Sequence, residues 1–463
     1  MFNEPHLRSL PGSAPAPATA MRPLRVGMIG IGTVGGGTWA VLQRNQALIA
    51  ARAGRGIEIV AVAARNLERA AAVLQGAPGV ELTRDPLRVA THPDVDVLVE
   101  VAGGTGPALD WVLAAIAHGK HVVTANKALL AVHGQTVFAA AQRQGVAVAY
   151  EGAVAVSLPI IKALREGLTA NRIEWVAGII NGTSNFILTR MREDGVDFAA
   201  ALAEAQALGY AEADPAFDVD GVDAAHKASL LAANAFGMPV RFDQAQVEGI
   251  RTLQALDVEC ARQLGFRVKL LGIARRQADG VELRVHPALV PAQHLLAQVD
   301  GSMNAVMVKG DASGVTMYYG AGAGAEPTAS AVIADLVDVA RLPAGTVAAQ
   351  QRVPHLGFHP HAVDEQLAVL TRAAVHTRHY LRVPVHQAPQ IEAVGAWLTA
   401  QQVPVQRMEL ANEKTLPACG TPHVLVLTDA VRQATVDLAV HALAAHPAVA
   451  GPVVALRVEM LEG

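Results

Sequence analysis

One short stretch constrains the fold more than any other. The apolar run Leu24–Ile29 enters Gly30-Ile31-Gly32-Thr33-Val34-Gly35, a helical pattern continues to about Arg52, and a second apolar strand spans Ile57–Ala64. A strand, a glycine turn, a helix and a second strand make a βαβ unit, whose crossover is right-handed. Further strands are expected at Val95–Val101, His121–Thr124 and Val146–Tyr150, each after a helix-like segment. The first 150 residues therefore predict an α/β domain with a doubly wound parallel sheet.

The glycine spacing also carries chemistry. Gly30 permits the tight turn, Gly32 lets backbone approach a pyrophosphate, and Gly35 lets the helix pack on the strand. Free N–H groups around Thr33 and Val34 at the helix start favour an anion. This is the Rossmann-type dinucleotide pattern, in which the strand context matters more than the glycines alone. An NAD site usually places Asp or Glu at the end of the second strand, but here the chain reads Ala63-Ala64-Arg65-Asn66. Arg65 suits a 2′-phosphate, so NADP is expected in preference to NAD. The later strand end runs into Gly103-Gly104, at the edge where the nicotinamide half belongs.

A chain of 463 residues exceeds a single ordinary core. Residues 21–150 form the expected dinucleotide domain, 151–345 an α+β domain with strands such as Arg172–Ile180 and Val281–Ala288, and 346–377 a linker. Residues 378–463 read strand, helix, strand, strand, helix, strand, a small ferredoxin-like βαββαβ module. Residues 1–20, rich in Pro, Ala and Ser, are expected to be a disordered extension.

The formal net charge is −4, without a Lys/Arg block, which argues against nucleic acid or an anionic membrane as partner. No apolar run is long enough to span a bilayer. Cys260 and Cys419 give neither a disulfide framework nor a zinc spacing, which fits a reducing cytoplasm. His355, His359 and His361 have no matching thiolate or carboxylate set and read as linker histidines.

The densest chemistry lies in residues 207–227, where Glu212, Asp214, Asp218, Asp220 and Asp223 precede Lys227. On a helix, Asp223 and Lys227 share one face at i,i+4 spacing, which by itself is also the pattern of a surface ion pair. The run as a whole resembles the signature of homoserine dehydrogenases. Other blocks agree in order: Thr124-Ala125-Asn126-Lys127, Asn181-Gly182-Thr183-Ser184-Asn185, Val299-Asp300-Gly301-Ser302-Met303-Asn304-Ala305 and Gly320 to Ser330. The resemblance covers about residues 24–345.

What the resemblance implies is reversible hydride transfer between L-homoserine and NAD(P), giving L-aspartate 4-semialdehyde. Lys127 and Lys227 are then the candidate proton carriers, with Asp223 orienting Lys227. Glu212 and Asp218 would hold the substrate ammonium, and Thr183 and Asn185 would hydrogen-bond the substrate. Thr124, Asn126, Gly324, Pro327 and Thr328 would line the cofactor cleft. The middle domain would also dimerise, in a homodimer or homotetramer.

The segment 151–159 resembles the family loop that holds a monovalent cation, Na+ or K+, through backbone carbonyls, here of Glu151, Val154, Val156 and Leu158. It departs from the pattern in having Ala155 and Val156 where glycines are common. The 379–460 module looks like an ACT domain, which implies a threonine effector, although Gln387-Ala388-Pro389-Gln390 lacks the usual acid and Pro-Gly turn. Two rival functions fit less well. An aspartate-semialdehyde dehydrogenase requires a nucleophilic cysteine, and Cys260 lies in a helical stretch. An amino-acid-responsive regulator with a decayed core is opposed by the retained lysines and carboxylates.

Overall fold

The computed structural model describes residues 21–75, 77–342, 353–412 and 420–462; the expected extension 1–20, the linker residues 346–352 and Cys419 lie outside them. Apolar, β-branched runs form β1 (Leu24–Ile29), β2 (Ile57–Ala63), β3 (Glu81–Thr83), β4 (Val97–Glu100), β5 (His121–Thr124) and β6 (Val148–Ala149). They pair in the order β3-β2-β1-β4-β5-β6, all parallel. This is the doubly wound sheet, and its central strands are buried because helices cover both faces.

The second sheet contains β7 (Ile173–Ile179), β8 (Gln246–Val247), β9 (Phe266–Gln277), β10 (Gly280–Pro291), β11 (Met303–Gly310), β12 (Gly314–Ala321), β13 (His376–Pro384), β14 (Val405–Leu410), β15 (His423–Thr428), β16 (Val431–Arg432) and β17 (Val454–Val458). Its main path is β12-β11-β7-β9-β10-β17-β13-β15-β14. The tail has the expected βαββαβ order, with helices Ile391–Ala400 and Gln433–Leu443. It is not a separate sheet, however. β17 pairs in parallel with β10, so the tail extends the middle domain. Arg284 on β10 seals this joint: fully buried, it binds Glu282 at 2.8 Å and also Glu459, just past β17.

Two further placements differ from the sequence reading. The helix Ala325–Arg341 follows the middle domain in the chain, yet its Val332, Leu336 and Ala340 join the core containing Val26 and Met28. It comes so close to the first helix, Thr33–Arg44, that a Cβ at Gly37 would lie 2.6 Å from the Ala325 carbonyl oxygen. Periodicity identifies an apolar stripe but not which sheet it covers. Likewise, residues 353–375 are not a loose linker. Leu356 and Leu367 enter the main core, His355 stacks on Phe138 at 5.5 Å, and the Tyr150 hydroxyl donates to the His355 carbonyl at 2.6 Å. His359 and His361 do remain exposed, and among the described residues no group of three or more His, Cys, Asp or Glu is arranged to hold a metal. No described helix is long and apolar enough to cross a membrane.

Candidate active site

The carboxyl ends of β1, β4 and β5 assemble the site. After β1, Gly30 has φ +98° and a Cβ there would crowd Val101 and Ala102 at 3.0 Å, while a Cβ at Gly35 would sit 2.1 Å from the Gly30 carbonyl oxygen. Gly32 differs, since a Cβ there meets nothing within 4 Å. Two glycines thus serve packing and the middle one borders open space, the division of labour a dinucleotide turn needs. Thr33 and Val34 begin the helix beside it.

This turn opens into a cleft of about 440 Å³ lined also by Arg65, Asn66, Arg69, Arg84, Gly103 and Trp111. The three arginines are exposed. Among the described residues none of them forms an ion pair, so the cleft offers uncompensated positive charge. Arg69 and Arg84 were not singled out from sequence. The opposite lip is held by Glu100, a buried carboxylate whose one oxygen accepts from the N–H groups of Ala102 (2.9 Å) and Gly103 (3.0 Å) and whose other accepts from Thr124 Oγ1 (2.9 Å). Asn126 donates to the Gly104 carbonyl at 2.7 Å and caps the helix Lys127–Gln144 through the Leu129 N–H at 3.1 Å. Thr124 and Asn126 are therefore buried braces for the Gly103-Gly104 loop and for Lys127. Gly324 (φ +130°) packs on Pro327 and accepts from the Thr328 hydroxyl at 2.7 Å, which fixes the start of helix Ala325–Arg341, where Ala325 meets Gly37 of the helix after the glycine turn.

Lys127 is the first residue of its helix, so the brace on Asn126 aims it. Its Nζ lies 3.2 Å from Asp223 Oδ1, while Lys227 Nζ donates to Asp223 Oδ2 at 2.8 Å and to the Ile180 carbonyl at 2.7 Å. One buried carboxylate thus bridges two ammonium groups. Asn181 donates to Asp223 Oδ2 at 2.9 Å and to Asp218 Oδ1 at 2.8 Å, tying the second aspartate into the network, and its own Oδ1 caps the helix Gly182–Asp194. The sequence reading had quoted Asn181 but given it no role. Phe217 covers Lys127 with its ring centroid 5.9 Å away, and His226 packs against Phe217 and Phe242.

Electrostatics follow from this geometry. Burial works against the Asp223 carboxylate, but Lys227 and Lys127 outweigh it and hold its pKa well below the usual range. For Lys227 burial wins: its pKa is lowered, with Asp223 opposing and Lys127 assisting. Burial also raises the pKa of Asp218, although Asn181 opposes that. Burial lowers His226 to about 4, so the ring is neutral near pH 7.

The remaining candidates fall differently. Thr183 donates to the Tyr210 carbonyl at 2.8 Å and keeps its oxygen lone pairs. Glu212 is exposed, and its backbone carbonyl accepts from Gln206 at 3.0 Å. Asn185 requires correction. It is buried, its amide donates to the Val299 and Met303 carbonyls at 3.1 Å each, and its oxygen accepts from Lys269 at 3.2 Å, so it braces the 299–303 loop and has no exposed polar atom for a substrate. In the 151–158 loop, Ala155 (φ +52°) and Val156 (φ +23°) adopt left-handed backbone without being glycine. The carbonyls of Glu151 and Leu158 already accept from Val154 N (3.3 Å) and Ile160 N (2.7 Å), which leaves each a second lone pair; Val154 is buried. Cys260 is a buried free thiol that burial pushes up to about 11, unsuited to nucleophilic attack.

A glycine-turn cleft and a carboxylate-bridged lysine pair, both at the carboxyl edge of a doubly wound sheet, define a nucleotide-dependent oxidoreductase. Comparison with known proteins narrows the class. A family model described as homoserine dehydrogenase, NAD binding domain, matches residues 30–151, and one described as homoserine dehydrogenase matches residues 159–337. A homoserine dehydrogenase of Pseudomonas aeruginosa is 52% identical over 441 residues, 95% of this chain and 100% of the relative, and that of Neisseria gonorrhoeae is 47% identical over 442 residues, again 95% and 100%. The crystal structure of a homoserine dehydrogenase from Thiobacillus denitrificans is 51% identical, with a TM-score of 0.89 over 96% of this chain and 99% of that one. The chain belongs to the homoserine dehydrogenase family.

Glu100 gives a direct check on the cofactor lip. Glu100→Ala removes an acceptor from three donors, and dinucleotide affinity, measured by fluorescence titration, should fall about tenfold or more, the scale of one or two charge-assisted hydrogen bonds. An unchanged affinity would show that the lip holds its shape without the carboxylate.

Proposed function

We propose that the enzyme reversibly interconverts L-homoserine and L-aspartate 4-semialdehyde, a step toward threonine and methionine, in the cytoplasm. The observation that carries this reading is the Asp223 carboxylate bridging Lys127 and Lys227. The nicotinamide ring, when bound, supplies the acceptor or donor of the hydride. Oxidising the alcohol also requires a base for the hydroxyl proton. A lysine has three N–H donors in its charged form, and Lys227 spends two on Ile180 and Asp223. Its third position is the one that would exchange a proton with the substrate oxygen, and its lowered pKa makes the neutral form easier to reach. Lys127, less buried, is the second proton carrier and orients the same oxygen.

Asp218 and Glu212 are the acceptors for the substrate ammonium. Asp218 is held in a half-buried position where its charge is disfavoured, so a bound cation relieves it. Thr183 is retained as a hydrogen-bond acceptor. NADP is preferred over NAD because Arg65, Arg69 and Arg84 meet no acid at the cleft. A monovalent cation, Na+ or K+, is assigned to the carbonyls of Glu151, Val154, Val156 and Leu158; the left-handed turn at Ala155 and Val156, about 1–2 kcal/mol of strain per residue, is what such a ligand would stabilise. The βαββαβ tail is read as an ACT domain responsive to threonine, on a homodimer or homotetramer. Its first helix is entered through Gln387, whose N–H is capped by Gln390 at 2.9 Å, in place of the acidic glycine turn.

Two measurements test these roles. Lys227→Ala should lower turnover by about 10² or more with NADP binding nearly intact. In the wild type, homoserine oxidation should slow as pH falls through the Lys227 pKa, because a protonated amine cannot accept the hydroxyl proton. Near-normal turnover in the variant would remove Lys227 from the chemistry. Arg65→Ala should weaken NADP binding by about 1.5 kcal/mol, the low end for a charge-assisted contact because Arg69 and Arg84 remain, and should spare NAD. Equal weakening of both cofactors would make Arg65 structural.

A further inference from the structure

The turn that presents Asp218 is supported from behind by Val247–Arg251. Ile250 N donates to the Val219 carbonyl at 2.8 Å. At Gly249 a Cβ would lie 2.3 Å from that carbonyl oxygen and 2.5 Å from Asp220 Cα, so the two backbones touch. Gly221, at φ +84°, adopts a left-handed backbone that favours glycine, and a Cβ there would lie 3.1 Å from Val247 Cγ1 and 3.5 Å from the Glu248 carbonyl oxygen. Arg251 closes the contact by clamping both oxygens of Asp220. The helix carrying Asp223 and Lys227 begins directly after this turn, at Val222.

The same short segment is held at its other end by the C-terminal module. Glu248 N donates to the Val285 carbonyl at 2.7 Å, and Glu248 Oε1 accepts from Arg457 on β17 at 3.0 Å and from Arg372. Arg457 is buried and also donates to Gln433 at 2.7 Å, while Arg372 pairs with Asp437 at 3.1 Å on the last helix. Glu248 is thus a single carboxylate on which Arg457 of the tail and Arg372 of the preceding 353–375 stretch, itself paired with the last helix, converge, one residue from backbone that touches the Asp218–Gly221 turn. No slack separates the two contacts, because Gly249 is wedged against Asp220.

We infer that Glu248 is a positioning residue: it fixes the homoserine-binding turn to the seat of the C-terminal module, so that a shift of that module is transmitted to Asp218. The inference rests on Asp218 being a substrate carboxylate. Coupling of this kind requires a contiguous element biased from both ends, which Val247–Arg251 supplies.

The test uses the full-length protein and initial rates with both substrates varied. Glu248→Gln should raise the homoserine KM about 3- to 20-fold, with kcat and the NADP KM within about twofold, the range for a coupling residue that touches neither ligand. Arg251→Ala breaks the other end and should show the same split. The double variant should resemble either single variant and not their product, since one break already uncouples a relay. Multiplicative effects, or a parallel loss of kcat and both affinities together with a lowered Tm, would make Glu248 merely structural and overturn the inference. An unchanged homoserine KM would overturn it too. Should Glu248→Gln not fold, Arg372→Ala removes only the half-exposed partner and carries the same expectations. Asp218→Asn, measured alongside, tests the substrate carboxylate separately: if it raises the homoserine KM and Glu248→Gln does not, the relay fails and the substrate reading stands.

Discussion

A carboxylate held between two ammonium groups inside a protein is the constraint around which this structure is organised. Taking each of these ions out of water costs several kcal/mol, and their mutual attraction recovers that only if the geometry is good and the remaining donors are satisfied. Asp223 meets the condition with one oxygen on Lys127 and the other on Lys227 and Asn181. Asp218, joined through the same Asn181, balances the second lysine, so the cluster is close to neutral before substrate arrives. Removing one member would leave another buried and unpaired, which explains why so many surrounding contacts serve orientation alone.

Those contacts come from three parts of the chain. Glu100, Thr124 and Asn126 connect the carboxyl ends of β4 and β5, so the loop bordering the cofactor cleft and the lysine facing Asp223 share one set of braces. Helix Ala325–Arg341 returns from the second sheet to the first and packs against the helix that follows the glycine turn. The C-terminal module then joins the middle domain through pairing of β10 with β17 and through the buried Arg284.

How much of this the sequence disclosed depended on how local each cause was. The glycine turn was legible because its requirements are steric and lie within six residues: the crowding at Gly30 and Gly35 and the openness at Gly32 match the roles read from spacing. The pairing of Asp223 with Lys227 was likewise one helical turn long. Lys127 could not be joined to Asp223 by spacing, since they lie 96 positions apart; the family resemblance placed Lys127 beside Lys227, and the fold supplies its contact with Asp223. Asn185 departs from its expected role because nearness to Thr183 in the chain does not set direction; two residues on, about half a helical turn round, it faces the 299–303 loop. Glu100 at the end of β4, Arg84 just past β3 and Arg69 in the helix after β2 carried no signal until the sheet order brought these segments to one edge. The 353–375 stretch read as a linker from its prolines and histidines, but Leu356 and Leu367 pin it to the core.

The most direct test of the central claim is the titration of Lys227 itself, followed by NMR on protein with ¹³C-labelled lysine side chains and assigned by its absence in Lys227→Arg. Burial should place its pKa below the ordinary lysine value of 10.5, with Asp223 limiting the fall. In Asp223→Asn the pKa should drop further, because the carboxylate that opposes burial and Lys127 is gone and only the Ile180 carbonyl and the more distant Asp218 still favour the charged amine. A Lys227 that titrates at or above 10.5, or whose titration ignores the loss of Asp223, would contradict the bridged lysine pair.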